Sequence, residues 1–489
     1  MMPEVWTTSR LGDALGAVAW GGPERPVRHV SRDSRDVGEG SAFVAIAGGR
    51  VDGHDLLGSL PDDVVLVLER PGAPAGRAWI LVDDTRRALG EIAALIYGRP
   101  ASSVPVVGVT GTNGKTTVTT LMYQAIGATG GVAGRIGTTG IDVGGRAIPS
   151  KLTTPEAHVL HAMFAEMRDA RAELVAMEVS SIGLVQQRVA GIPFHVAVFT
   201  NLSHDHLDFH GTYEAYAEAK SRLFRLGLRA EGGAPRALLF GDDPAWASMA
   251  PPADRLLYGE GAHNDLRITD VDASAHGMVV DLRHPWGAHT IATPMVGRHN
   301  AHNLVAAFGA GVLAGIDPDR MARGLAMASG APGRLERVVD PAGRMVLVDY
   351  AHTPDGIDTA LRAVRPLTEG RVVLVFGCGG DRDTAKRAPM GRAAMAADVV
   401  VLTSDNPRSE EPSAILRDVQ VGMVDRRDGQ RVIVEVDRAR AIAQALEVAR
   451  PGDVVLIAGK GHETTQEIAG VLHPFDDRLV AADWLERHR

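Results

Sequence analysis

Val104-Pro105-Val106-Val107-Gly108-Val109-Thr110-Gly111-Thr112-Asn113-Gly114-Lys115-Thr116-Thr117 begins apolar, breaks on glycines and resumes with a lysine and two threonines. Residues 104–109, interrupted early by Pro105, read as a strand, and a helical pattern follows from about residue 115 to 128. A glycine-rich turn between strand and helix points backbone N–H groups at an anion, and the helix N-terminus adds the positive end of its dipole. Lys115 supplies a cation and Thr116 a hydroxyl suited to Mg2+. The full phosphate-loop pattern would place another glycine at Val109, so this loop is a shortened variant. Alone it indicates phosphate, not a reaction, and its bland alternative is a turn that merely links strand to helix.

Working outward, apolar runs at 173–179 and 196–199 and helical patterns at 214–226 and 300–313 fit a parallel central sheet flanked by helices. Upstream, residues 41–47, 64–69 and 78–82 read as short strands and 85–97 as an amphipathic helix. Gly98-Arg99-Pro100 ends that helix and marks a boundary. Downstream the alternation is regular. Strands are expected at 345–349, 372–376, 399–403, 432–436 and 454–458, with helices between them at 356–364, 388–397, 413–423 and 438–449. That is a Rossmann-like, doubly wound α/β pattern, and its polar clusters at 349–352, 377–383, 405–408 and 459–463 all follow strands, where such sheets bind ligands. The expected organisation is α/β throughout, in three parts: a small domain at 1–100, a central phosphate-loop domain at 101–332 and a C-terminal domain at 333–489.

Three domains also suit the length, because 489 residues exceed one ordinary core and a domain averages roughly 150 residues. No apolar run reaches the roughly 18 residues of a membrane span. The start, Met1-Met2-Pro3-Glu4-Val5-Trp6, lacks the basic and apolar stretches of a secretion signal, and the single cysteine, Cys378, forms no internal disulfide. A cytoplasmic protein acting as a monomer is expected. A formal charge of −9 argues against nucleic acid as a partner, so an anionic substrate must be held by local Arg, Lys, metal or backbone amides.

A second polar constellation, Thr200-Asn201-Leu202-Ser203-His204-Asp205-His206-Leu207-Asp208-Phe209-His210, follows the apolar run at 196–199. Its histidines and aspartates can offer metal ligands or form a solvated loop. Glu178, at the end of another strand, is a plausible carboxylate for the same cation. Nucleotide-bound Mg2+ suits the set better than Zn2+, because thiolates are absent.

These residues resemble the Mur ligases, which extend the peptide of the cell-wall precursor. The resemblance rests on Gly111 to Thr117, Glu178-Val179-Ser180-Ser181, Asn201 to His210, Gly297-Arg298-His299-Asn300-Ala301-His302-Asn303, Gly333-Arg334-Leu335-Glu336 and Asp349 to Gly356. Asp33-Ser34-Arg35, Leu152-Thr153-Thr154-Pro155, Gly379-Gly380-Asp381-Arg382, Asp405-Asn406-Pro407-Arg408 and Gly459-Lys460-Gly461-His462-Glu463 make it similar to the members that add meso-2,6-diaminopimelate.

The resemblance implies that ATP is held by Gly111, Thr112, Asn113, Gly114, Lys115, Thr116 and Thr117 with Asn300, Arg334 and Asp349. It implies Mg2+ on Thr116 and Glu178, a second Mg2+ served by His206, and a CO2-derived carbamate on Lys220 as a further oxygen ligand. Lys115, Lys220, Glu178 and His206 would then be the catalytic set. An ordinary helix lysine would instead be a solvated cation, and a carbamate requires a neutral amine, hence a lowered pKa. The UDP-muramoyl dipeptide ending in D-glutamate would lie on Arg32, Ser34, Thr153, Thr154, Ser180, Gln186 and Arg188. The amino acid would lie on Arg382, Asp405, Asn406, Pro407, Arg408, Gly459 and Glu463, with the Arg408 fork suited to the second carboxylate of diaminopimelate. The implied chemistry is ATP-dependent amide formation through an acyl phosphate. L-lysine as the amine, a folylpolyglutamate-type ligase and a nucleotide-driven switch are the alternatives.

Overall fold

The computed structural model describes residues 5–49, 51–203, 205–226, 236–251, 254–424 and 426–488. The chain divides into two compact units: Met1–Arg267 with Arg283–Gly287 and Val305–Gly324, and Ile268–Leu282 with Ala288–Leu304 and Leu325–Arg489.

The first unit begins with helix α1 (Thr8–Leu15) and a five-stranded sheet of β1 (Ala19–Gly21), β2 (His29–Ser31), β3 (Ser41–Val44), β4 (Val65–Leu68) and β5 (Trp79–Leu81), ordered β1-β5-β4-β3-β2. Its inner strands are parallel and β1 is antiparallel at the edge. Helix α2 (Thr85–Ile96) starts on Asp84, whose carboxylate accepts from the Arg87 N–H, and contributes Ala88, Leu89, Ile92 and Ala93 to the core on that sheet.

The large sheet of this unit is centred on β6 (Val106–Thr110), which leads into α3 (Lys115–Ala128). β7 (Ala133–Gly137), β8 (Gly140–Val143) and β9 (Arg146–Ile148) follow, then α4 (Ala157–Asp169), β10 (Leu174–Glu178), α5 (Ser181–Val185), β11 (Val196–Phe199), α6 (Leu207–His210) and α7 (Tyr213–Arg225). β12 (Arg236–Phe240), β13 (Arg255–Gly259), β14 (Leu266–Ser274), β15 (Gly277–His284) and β16 (Gly287–Thr293) complete the order β9-β8-β7-β10-β6-β11-β12-β13-β14-β15-β16, residues 268–282 and 288–293 of the last three strands being counted in the second unit. The inner strands β7, β10, β6, β11, β12 and β13 are parallel, as expected. The edge is not: β8 runs antiparallel to both β7 and β9. Short turns at Thr138-Thr139 and Gly144-Gly145 reverse the chain there, and a two-residue turn joins only antiparallel neighbours. β6 is flanked on both sides and fully buried, so it reads as a continuous apolar run, without alternation.

The second unit carries α8 (His299–Leu313) only in part, up to Leu304, and α9 (Pro318–Ala326) from Leu325. Its sheet comprises β17 (Glu336–Val338), β18 (Met345–Asp349), β19 (Val372–Phe376), β20 (Val399–Leu402), β21 (Arg431–Val434) and β22 (Val454–Ala458), ordered β17-β18-β22-β19-β20-β21. All pairs but the antiparallel β17–β18 are parallel. Successive strand residues face opposite sides. Leu347, Leu374, Phe376, Leu402 and Leu456 pack with α10 (Pro354–Val364), α11 (Arg387–Ala394) and α12 (Pro412–Gln420), whereas Val348, Val373, Val375, Val401 and Ile457 pack with α13 (Arg438–Val448) and α14 (Asp477–Arg487). Helices on both faces make it doubly wound. The hairpin of β23 (Thr465–Ile468) and β24 (Val471–Pro474) lies outside the sheet. Among the described residues no helix is long and apolar enough to cross a membrane.

Candidate active site

Gly111 has φ of 149°, and a Cβ there would meet Thr200 Oγ1 at 1.9 Å; only glycine lets the phosphate loop pass so close to the end of β11. The loop is tied to that neighbour: Thr112 N donates to Asn201 O at 2.9 Å, Asn113 N to Asn201 Oδ1 at 2.9 Å, and Ser203 N to Thr112 Oγ1 at 2.9 Å. Gly114, with φ of 88°, starts α3. Lys115 Nζ donates to the carbonyls of Gly111 and Thr112, at 2.9 and 2.8 Å. Thr116 and Thr117 are buried in the first turn.

Three parts of the sequence reading come together around this loop. Thr116 Oγ1 donates at 3.0 Å to Glu178, a fully buried carboxylate that also accepts from Thr138 N at 2.8 Å and Thr138 Oγ1 at 3.2 Å. Lys220 is buried on α7, donates to Gly111 O at 2.8 Å and lies 4.2 Å over the Tyr216 ring. Burial, with the Lys115 ammonium next, pushes the Lys220 pKa well below the ordinary lysine range, outweighing Asp205. A lowered pKa is the direction that formation of a carbamate requires. His206 sits at φ of 53°, half-exposed, with Nε2 3.5 Å from Asp205 Oδ2 and its ring 6.2 Å from Tyr216.

Among the described residues no group of three His, Cys, Asp or Glu is placed to hold a metal ion; His204 lies outside them. Asp205 accepts from His206 N at 2.9 Å, and His210 Nε2 lies 2.9 Å from Ser181 Oγ. The Thr116 hydroxyl and Glu178 carboxylate remain, a hard-oxygen pair that fits Mg2+, an ion that keeps several non-protein ligands.

The residues expected around the acceptor form a chain of contacts in the same unit. Thr153 Oγ1 lies 3.0 Å from Thr138 Oγ1; Thr154 Oγ1 donates to Glu178 O at 3.0 Å and accepts from Ser180 N at 3.0 Å. Arg188 donates to Thr154 O at 2.9 Å and to Gln186 Oε1 at 2.6 Å. Glu156, which the sequence reading missed, lies 3.0 Å from Arg32 and 3.4 Å from Arg188. Ser34 is half-buried in the turn set by Asp33, whose carboxylate accepts from Arg35 N at 3.0 Å.

In the second unit Asp349 accepts from Leu335 N and Ala351 N, both at 2.8 Å, and burial raises its pKa against the pull of Arg334. The Arg334 guanidinium stacks 4.8 Å from the Tyr350 ring centre. Asn300 is buried, with Nδ2 on Val296 O at 2.8 Å and Oδ1 accepting from Asn303 at 2.9 Å.

The carboxyl ends of β19, β20 and β22 carry the amino-acid candidates. Asp405 and Asn406 are buried after β20, and Gly459, with φ of 116°, follows β22. Lys460 is fully buried and donates to Asn406 Oδ1 at 3.1 Å and Glu463 Oε2 at 2.9 Å; Asn406 Nδ2 donates to the same Glu463 oxygen at 2.9 Å. Arg408 Nη1 donates to Gly380 O at 2.6 Å, and Gly380 N donates to Asn406 O at 2.9 Å. Pro407 is buried in this turn, and Arg382 is exposed. Beneath it, Arg438 and Asp477 form a fully buried pair at 2.7 Å. Arg438 also donates to Ser404 O at 3.2 Å and Ala458 O at 2.9 Å, clamping the ends of β20 and β22. Neither partner carries a sequence signal, since 39 residues separate them; Lys460 lies in a quoted motif, but only the fold reveals its burial.

Parallel sheets with a glycine loop between strand and helix and polar turns at strand ends define a multi-sheet α/β protein of the phosphate-loop type. The Mur ligase middle domain matches residues 109–311, and the Mur ligase, glutamate ligase domain matches residues 333–461. The chain belongs to the Mur ligase family. It is 44% identical over 459 residues, 92% of this chain and 93% of that protein, to the UDP-N-acetylmuramoyl-L-alanyl-D-glutamate--2,6-diaminopimelate ligase of Geobacillus kaustophilus (strain HTA426). With the enzyme of the same name from Geobacillus thermodenitrificans (strain NG80-2) it shares 44% identity over 94% of this chain and 95% of that one. A solved structure of a ligase of that name superposes with a TM-score of 0.70 at 34% identity, covering 95% of this chain and 96% of the other.

Proposed function

We propose that this chain is an ATP-dependent ligase that joins meso-2,6-diaminopimelate to UDP-N-acetylmuramoyl-L-alanyl-D-glutamate, giving ADP and phosphate, in peptidoglycan precursor synthesis. It would act as a cytoplasmic monomer of three domains, 1–100 for the uridine nucleotide, 101–332 for ATP and 333–489 for the amino acid. Carrying this reading is the Arg408 guanidinium, held on Gly380 O beside the Asp405, Asn406 and Glu463 turn. A planar fork suits a carboxylate, which the distal end of diaminopimelate has and that of lysine lacks.

Arg32, Ser34, Thr153, Thr154, Ser180, Gln186 and Arg188 would hold the acceptor, and the loop Gly111 to Thr117 with Asn300, Arg334 and Asp349 would hold ATP. Mg2+ would be held by Thr116 and Glu178, with His206 and carbamylated Lys220 serving a second ion, and would neutralise phosphate charge. The carbamate forms when the neutral Lys220 Nζ attacks the carbon of CO2 and one proton leaves to solvent.

One oxygen of the D-glutamyl side-chain carboxylate attacks the γ-phosphorus while the bond to the β-phosphate oxygen breaks, releasing ADP. Lys115 and the backbone N–H groups of the loop offset the charge spread over the transferring group. The amine of diaminopimelate, having lost a proton, attacks the acyl carbon, and phosphate leaves with the former carboxylate oxygen. No protein nucleophile takes part. With 18O in the D-glutamyl carboxylate, one label is expected in each inorganic phosphate released; label-free phosphate would refute the acyl phosphate.

A further inference from the structure

The hairpin β23–β24 follows the Gly459 to Glu463 turn and is docked on the Asp405 to Arg408 turn through Gln466, whose Nε2 donates to Asp405 O at 2.7 Å, and through Glu467. Its N–H donates to Asn406 Oδ1 at 3.0 Å, its carbonyl accepts from Arg408 N at 3.0 Å, and its carboxylate Oε2 lies 3.5 Å from Arg408 Nε. The Glu467 backbone is therefore fixed on both sides while its carboxylate is about one-third exposed, at 35%.

Each nitrogen of Arg408 has a distinct situation. Nη1 is committed to Gly380 O, Nε faces Glu467 at a separation too long for a hydrogen bond, and Nη2 makes no hydrogen bond among the described residues. A carboxylate that meets the fork two-pronged therefore arrives on the Nε–Nη2 edge, beside Glu467. Once the substrate carboxylate engages Arg408, Glu467 loses its nearest cation. Glu463 differs, because buried Lys460 already offsets its charge.

We infer that Glu467 is a specificity-determining residue, its carboxylate receiving the ammonium on the distal stereocentre of diaminopimelate while Arg408 receives the carboxylate on the same carbon. The inference rests on the diaminopimelate reading above. With the distal carboxylate held by Arg408 and the carbon chain held by the amine that reacts at the acyl carbon, inverting the distal carbon exchanges its ammonium with hydrogen and moves it off Glu467, so the set distinguishes the meso from the LL isomer. An ordinary half-exposed ion pair would contribute little and would be indifferent to that stereochemistry.

The test is the ratio of kcat/KM for meso- over LL-diaminopimelate in the parent protein and in Glu467→Gln, with the KM for ATP measured alongside. The amide keeps the shape and removes the charge, and a ratio within one preparation does not depend on how much of it is folded. The ratio is expected to fall about tenfold, the scale of one charge-assisted hydrogen bond, with the KM for ATP unchanged. An unchanged ratio, with both isomers slowed equally or not at all, would overturn the role of Glu467 and leave the ligase reading intact. A parent protein that forms no product with either isomer would overturn both.

Discussion

Lys220 is a residue whose environment argues against its own charge. Buried on α7 beside the Lys115 ammonium, it has a folded pKa well below its unfolded one. Between those two values the unfolded chain binds the extra proton, so this group's contribution to stability rises with pH and is least favourable on the acidic side. Lys220→Met is accordingly expected to leave the neutral-pH melting temperature unchanged or raised, and to flatten that rise with pH. It should cut ligase activity by about a hundredfold or more, as loss of a major charge-stabilising group does. With 13C-labelled bicarbonate the parent protein should show a carbamate carbon resonance that the variant lacks. A melting temperature several degrees lower, with the resonance retained, would show that the lysine serves packing alone. Sequence exposed Lys220 only through the resemblance, since a lysine in a helical pattern is ordinarily solvated; its burial is a property of the packed sheet.

At the level of elements, strands β6, β11, β18, β19 and β22 and helix α3 were legible because each is apolar or periodic and flanked by glycine or a capping residue. The antiparallel run β7–β8–β9 was not, since Gly134, Arg135, Gly137 and Gly140 dilute its apolar pattern and its pairing depends on turns. The strand ends around the amino-acid site were legible as places, but what holds them was not: the Arg438–Asp477 pair ties α13 and α14 to the ends of β20 and β22. Breaking one side of a buried pair leaves an uncompensated charge, so Arg438→Met should destabilise the protein by about 3–5 kcal/mol. At a temperature where the variant stays folded, the KM for diaminopimelate should rise more than that for ATP. Chemical denaturation and steady-state kinetics on one preparation check both, and equal shifts in the two constants would remove Arg438 as a positioning residue.

For the whole molecule, the two matched Mur ligase domains place the phosphate loop and the Arg408 turn on one chain, and the proposed reaction needs ATP, acceptor and amine to meet at one acyl carbon. The β1–β5 strands, the β6-centred strands and the β17–β22 strands form three separate sheets, while the chain divides into two compact units. The central claim is that one D-glutamyl carboxylate is joined to one diamino acid bearing a second carboxylate. Mass spectrometry of the product made from UDP-N-acetylmuramoyl-L-alanyl-D-glutamate, ATP and equal meso-2,6-diaminopimelate and L-lysine tests it most directly. A single product is expected, the acceptor plus diaminopimelate less one water, with one ADP per amide; a lysine adduct alone, or ADP formed without any amide, would contradict it.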